Sequence, residues 1–192
     1  MKKIYYGKAV YDHKEINAVT KVLKEQPLQL IDGKNVKKLQ NNICKLFGKK
    51  YGLMVNSGSS ANLLAISSLN LKRGSEIITP NLTFSTTVAP IFQLGLVPHF
   101  IGVEKNKFVA DVNQIEKCIN SKTKAIMIPN LLGNIADWKK ISIIAKKYKL
   151  YVIEDSADTI GYTINSKNTG NFSDIVTNSF YASHIINGAG TG

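Results

Sequence analysis

The sequence predicts an α/β protein built on a mostly parallel sheet flanked by helices. Three observations carry this. Short apolar runs of strand length alternate with helical patterns along most of the chain. The runs are apolar at nearly every position rather than every second one, as expected of strands buried on both faces. The segments between them are long enough for helical crossovers, which join parallel strands.

The elements follow in order. Residues 12–25 read as a helix, with Asp12 as N-cap and Glu15 three residues on, and Pro27 at its end. Residues 33–47 read as a second helix, with Val36, Leu39, Ile43, Leu46 and Phe47 on one face. YGLMV at 51–55 is predicted as a strand, and SSANLLAISSLN at 59–70 as the helix after it. SEIITP at 75–80 is a strand closed by Pro80, followed by a helix over 84–95 that contains Pro90. LVPHFI at 96–101 is a strand, and 111–119 a short helix opened by Asp111. KAIMIP at 124–129, a helix over 137–148 opened by Asp137, LYVIED at 150–155 and DIVTNSF at 174–180 complete the rhythm. Crossovers in such a sheet are right-handed, and ligands bind at the carboxyl ends of the strands.

Composition bounds the function. At 192 residues with 44% hydrophobic content the chain can build one large core. It contains no apolar run of about 18 residues, so no membrane helix is expected. The first fifteen residues, MKKIYYGKAVYDHKE, have no apolar core of a signal peptide, which points to the cytoplasm. Cys44 and Cys118 are the only cysteines and supply neither a metal framework nor a disulfide one. The net charge of +12 invites a nucleic-acid reading, but Arg73 is the only arginine and the lysines are scattered along helix faces. No nucleic-acid partner is expected, whereas an anionic small substrate suits the basic surface.

The residues after each strand carry the chemistry. After YGLMV, Gly58, Ser59 and Ser60 open a helix, where free N–H groups and the helix dipole favour a phosphate. An ordinary Ser/Gly cap reads the same way. After SEIITP comes Phe84, either a core residue or a platform for a planar ring. After LYVI come Glu154, Asp155 and Asp158, carboxylates that are costly at a strand end unless paired. A protonated pyridine nitrogen would be one partner; a metal or a simple cap are the alternatives. After DIVTN, Ser179 could add a hydroxyl to the phosphate. His184 follows in a small-residue stretch ending NGAGTG, where backbone can approach a ligand closely.

Five segments in this order resemble the DegT/StrS-like family of pyridoxal-phosphate (PLP) dependent sugar aminotransferases and dehydrases. They are NSGSSANLLA (56–65), EIITPNLTFSTT (76–87), PNLLGNIAD (129–137), YVIEDSADTIG (151–161) and NSFYASH (178–184). The resemblance implies fold type I, the aspartate-aminotransferase-like large domain. It implies an N-terminal arm and helix over 1–30, a cofactor-binding domain over 31–192, and a truncated chain lacking the small C-terminal domain. By carry-over, Gly58, Ser59, Ser60 and Ser179 hold the cofactor phosphate and Phe84 stacks on its ring. Asp155 pairs with the ring nitrogen, and Asp158 lies near the 3-hydroxyl.

The aminotransferases of this family carry a lysine at the end of the SFYA(T/S)K motif, which binds the cofactor covalently. His184 stands at that position, as in the 3-dehydrase branch acting on nucleotide-linked 4-keto-6-deoxy sugars. Two departures accompany it: Ile185 replaces a frequent second histidine, and Gly188-Ala189-Gly190 replaces a GEGG segment. The implied activity is removal of the C3 hydroxyl in deoxysugar or surface-polysaccharide synthesis, with pyridoxamine phosphate (PMP) as the resting cofactor and His184 as acid and base. The resemblance leaves open a nucleotide-sugar aminotransferase, or an inactive sugar-nucleotide-binding scaffold. It also implies a homodimer.

Overall fold

The structure, a computed structural model, describes residues 3–5, 9–28 and 30–188. The segment Ala189–Gly192, with most of the small-residue stretch after His184, lies outside the described residues. Three helices come first: α1 (His13–Glu25), α2 (Lys34–Phe47) and α3 (Gly58–Ser68). There follow β1 (Glu76–Pro80), α4 (Ser85–Gln93), β2 (Val97–Ile101), α5 (Ile115–Cys118), β3 (Thr123–Pro129), α6 (Trp138–Tyr148) and β4 (Tyr151–Asp155). A two-residue hairpin of β5 (Thr163–Ile164) and β6 (Lys167–Asn168) precedes β7 (Ile175–Thr177).

The sheet runs β2-β1-β3-β4-β7, with every pair parallel. Side chains alternate between two cores because successive residues of a strand point to opposite faces. Ile78, Ile126, Ile128 and Val152 join α6 residues Ile141, Ile144 and Ala145 on one face. Ile77, Met127 and Ile153 join Ala65 and Ile66 of α3 and Ile91 of α4 on the other. Both faces are therefore covered, as the uninterrupted apolar runs require.

Local signals act as the sequence suggests. Asp12 caps α1 in a reciprocal box with Glu15. Asp137 accepts the Lys140 N–H at 3.0 Å to open α6. Pro90 lies inside α4 and donates no hydrogen bond there, which leaves the Thr86 carbonyl without its helical partner. The side-chain amide of Asn62, on α3, donates to that carbonyl at 3.2 Å.

Three expectations need correction. Residues 51–55 are extended but pair with no strand among the described residues, and Tyr51 and Leu53 are exposed. An apolar run becomes a strand only where a neighbouring backbone meets its hydrogen bonds, and here the run borders a groove shared with α2 and β7. The helix expected over 111–119 is a 3-10 turn at Val112–Gln114 running into the short α5. The last strand is only Ile175–Thr177, because Asn178 turns its side chain onto the carbonyls of Ser156 and Thr159. No helix of the described residues is long and apolar enough to cross a membrane.

Candidate functional site

The carboxyl ends of β1, β3, β4 and β7 converge, and most of the residues singled out in the sequence stand there. α3 begins beside the end of β7. Ser57 caps it, its hydroxyl accepting the Ser60 N–H at 3.1 Å. The N–H groups of Gly58 and Ser59 have no acceptor within the helix, as for any first turn. Gly58 is pressed against the following loop: a Cβ there would lie 2.8 Å from Ser179 Cβ and 3.1 Å from its hydroxyl. Gly58 and Ser179 thus meet at the start of α3, where free N–H groups could receive an anion. Ser60 differs from expectation in one respect: its N–H belongs to the cap, and its hydroxyl lies 3.1 Å from that of Ser57.

Two adjacent carboxylates end β4, and their surroundings differ. Glu154 is fully buried and points to one face. It accepts from the Asn130 amide at 2.9 Å and the Ser156 hydroxyl at 2.7 Å, with the Lys49 ammonium as a nearby positive charge. Asp155 points to the other face and accepts the Thr87 hydroxyl at 2.8 Å and the Asn62 amide at 3.0 Å on one oxygen. Its second oxygen accepts the Ala157 N–H at 3.2 Å. Burial pushes both carboxyls above the usual range, and the charge of Asp158 adds to the rise at Asp155. Among the described residues no cationic side chain pairs with Asp155. A buried carboxylate met only by neutral donors suits a cation brought by a ligand, because such a partner removes the cost of burying the charge.

Phe84 sits at the N-terminal boundary of α4 and is 68% exposed, so it is not a core residue and its ring face is open to a ligand. Its carbonyl accepts the Thr87 N–H at 3.0 Å, which ties it one turn away from the hydroxyl that serves Asp155. Asp158 accepts the Leu132 N–H at 2.9 Å and faces the imidazole of His184, Nε2 to Oδ1, at 3.6 Å. The His184 side chain is 17% exposed, and the Tyr181 ring stands edge-on to it. The loops after β4 and β7 therefore bring together Asp155, Asp158, Ser179 and His184. A flat, phosphate-bearing heterocycle fits this residue set: a helix start for the anion, an aromatic face, a buried carboxylate for a ring cation, and an imidazole.

Sequence reasoning missed the residues that hold the site in place. Asn62 joins four elements: its amide reaches Thr86 on α4 and Asp155 on β4, and its carbonyl accepts the Thr177 hydroxyl of β7 at 2.6 Å. Asn130 does the same on the other face, donating to Glu154 and Ser156 and accepting from the Trp138 indole at 2.9 Å. One signal was available, since Pro90 frees the Thr86 carbonyl and calls for a donor from another element.

Comparison with known proteins places this arrangement. The model of the DegT/DnrJ/EryC1/StrS aminotransferase family matches residues 10–192. A GDP-4-keto-6-deoxy-D-mannose 3-dehydratase of Yersinia pseudotuberculosis is 35% identical over 93% of this chain and 46% of its own length. A dTDP-4-dehydro-2,6-dideoxy-D-glucose 3-dehydratase of Saccharopolyspora spinosa is 38% identical over 95% of this chain and 41% of its own. The solved E. coli GDP-4-keto-6-deoxy-D-mannose-3-dehydratase with bound hydrated PLP superposes with a TM-score of 0.87 at 34% identity, covering 95% of this chain and 48% of that one. The chain thus spans about half the length of these relatives.

Proposed function

The chain belongs to the DegT/DnrJ/EryC1/StrS aminotransferase family, and from that premise we propose that it serves C3 dehydration of a nucleotide-linked 4-keto-6-deoxy sugar, with PMP as cofactor. The observation that carries this reading is His184, an imidazole facing Asp158 in place of the lysine that would tether the cofactor. The names of the relatives support a nucleotide-sugar substrate and a role in deoxysugar or surface-polysaccharide synthesis; a cytoplasmic location is part of the same proposal.

Gly58, Ser59, Ser60 and Ser179 would hold the phosphate, Phe84 would stack on the ring, Asp155 would meet the ring nitrogen, and Asp158 would lie near the 3-hydroxyl. The chemistry such a cofactor supplies is an amine for the sugar's 4-keto carbon and a protonated ring that accepts electrons. Asp155 keeps the proton on the ring nitrogen, which a carboxylate with no cation of its own does well. With no amine at position 184, nothing there competes for the cofactor's reactive carbon. His184 would serve as the base toward the bound cofactor and as the acid toward the sugar's C3 hydroxyl, which would leave as water. An imidazole can both accept and donate a proton, so one side chain can serve both roles. A homodimer accompanies this reading; it is supported by α1, which buries no residue and leaves Ile16, Val19 and Leu23 exposed.

A sugar aminotransferase is the second reading, favoured by the family's aminotransferases, such as a GDP-perosamine synthase of Vibrio cholerae at 32% identity. The test incubates the chain with PMP and GDP-4-keto-6-deoxymannose and follows the sugar by mass spectrometry. Loss of the C3 oxygen, abolished in His184→Asn, supports dehydration. A product that keeps that oxygen and gains an amino group establishes transamination instead. Failure of a full-length version to bind PMP at all favours the scaffold reading.

A further inference from the structure

The contacts of Asp158 with two different strand ends specify the state of His184. One carboxylate oxygen, Oδ2, accepts the Leu132 N–H at 2.9 Å. The other, Oδ1, faces His184 Nε2 at 3.6 Å. The remaining imidazole nitrogen, Nδ1, is buried and has no hydrogen-bond partner among the described residues. A neutral imidazole carries one N–H and one lone pair, and an ionised carboxylate can only accept. The proton is therefore favoured on the nitrogen that faces the carboxylate.

We propose that Asp158 is a positioning residue that fixes His184 as the Nε2–H tautomer, leaving the lone pair on Nδ1. Nδ1 is then the atom that takes a proton when His184 acts as base. This deepens the acid–base reading given above, but the tautomer is observable without cofactor or substrate.

The clamp draws on three strand ends. Leu132 follows β3, Asp158 follows β4, and His184 follows β7. Leu132 lies in the left-handed region at φ 55°, ψ 29°, a conformation that is strained for a non-glycine residue. Gly133 follows at φ 81°, where glycine is at ease. In that turn the Leu132 N–H meets Asp158 rather than continuing β3. From its own segment His184 is held by its N–H, which donates to the Tyr181 carbonyl at 2.9 Å, and by the edge of the Tyr181 ring at a centroid distance of 6.1 Å. Asp155 is the other charged group close to Asp158, and its buried carboxyl feels that charge.

The Leu132 contact makes an isosteric change informative. In Asp158→Asn the amide oxygen stays on the Leu132 N–H, because an amide nitrogen there would set donor against donor. The amide –NH2 then faces Nε2 and donates to it, which moves the imidazole proton to Nδ1. Asp158→Ala leaves neither preference.

The experiment labels the three histidines of the 192-residue chain with nitrogen-15 and records two-bond proton–nitrogen correlations where the imidazoles are neutral. His184 is assigned by its loss in His184→Asn. His99, whose Nδ1 lies 3.5 Å from Glu76 on the far side of the sheet order, reports whether each variant keeps its fold. The expected result is a single Nε2–H tautomer in the wild type, Nδ1–H in Asp158→Asn, and a mixture in Asp158→Ala. A wild-type chain with the proton on Nδ1, or the same tautomer with and without Asp158, overturns the assignment. The wild-type spectrum decides even where a variant does not fold. A failure here leaves the dehydration assay untouched, so the two readings fall separately.

Discussion

Asp155→Asn removes one charge and little else, and its two consequences have opposite signs. Thr87 and Asn62 both donate to the same oxygen of Asp155, at 2.8 and 3.0 Å, so an amide oxygen can take its place. The amide nitrogen then stands where Oδ1 was, against the Ala157 N–H now at 3.2 Å. That loses one hydrogen bond, about 0.5–1.5 kcal/mol. In return the chain no longer buries a charge, and burial is the main reason the Asp155 carboxyl is held above the usual range. The two effects offset, so the cofactor-free variant should unfold within a few degrees of wild type at pH 8. Cofactor binding should not be spared. Removing one partner of a buried, hydrogen-bonded charge pair costs about 2–5 kcal/mol. At about 1.4 kcal/mol per decade, Kd for PMP should rise about 30-fold to several thousand-fold. Calorimetric titration with PMP, with thermal unfolding measured alongside, reads both. An unchanged Kd in a chain that still unfolds normally would refute the assignment of Asp155 to the ring nitrogen.

Three further outcomes are expected. Gly58→Ala drives a methyl group to 2.8 Å from Ser179 Cβ; it should cost about 1–3 kcal/mol in urea unfolding and weaken inorganic phosphate binding, whereas Ser59→Ala should leave stability unchanged. Asn130→Ala strips partners from the Trp138 indole, the Ala136 N–H and Glu154, all buried, and should destabilise the chain by about 3 kcal/mol or more, with little change at Asp155. Glu154 sets a pH dependence. Burial raises its carboxyl above the ordinary value, so the folded chain holds a proton that the unfolded chain releases. The stability this adds is complete below the ordinary glutamate pKa, about 4.3, and is lost as pH rises through the folded value. Glu154→Gln should flatten that part of the stability–pH curve in denaturant titrations; a curve as steep as wild type would place its origin elsewhere.

Much of the fold could be read from the sequence because its strands are apolar on both sides. Ile77 and Ile78, or Met127 and Ile128, fill two different cores, and only a sheet covered on both faces uses such pairs. Pairing was not legible. YGLMV has the composition of a strand, yet strand structure depends on a neighbour that lies elsewhere in the chain or outside it. The candidate site divides the same way. Phe84 and His184 come after β1 and β7, Asp155 ends β4, and Gly58 comes after the strand expected at 51–55, so the rule that ligands bind at strand ends picks them out. Asn62 and Thr87 lie within helices, where polar residues usually face water, and Asn130 follows β3 but turns its side chain into the core. Their role depends mainly on contacts with other elements, up to 115 positions apart, which periodicity does not reveal.

The most direct test of the whole account asks what stands opposite the cofactor's reactive carbon. The His184→Lys chain and the wild type are each incubated with PLP, reduced with borohydride, digested and mapped by mass spectrometry. The expected result is a pyridoxyl group on the lysine introduced at position 184 and no modified peptide covering residues 178–186 in the wild type. Modification that spares position 184 in the variant, or that falls on the same surface lysines in both chains, would contradict it.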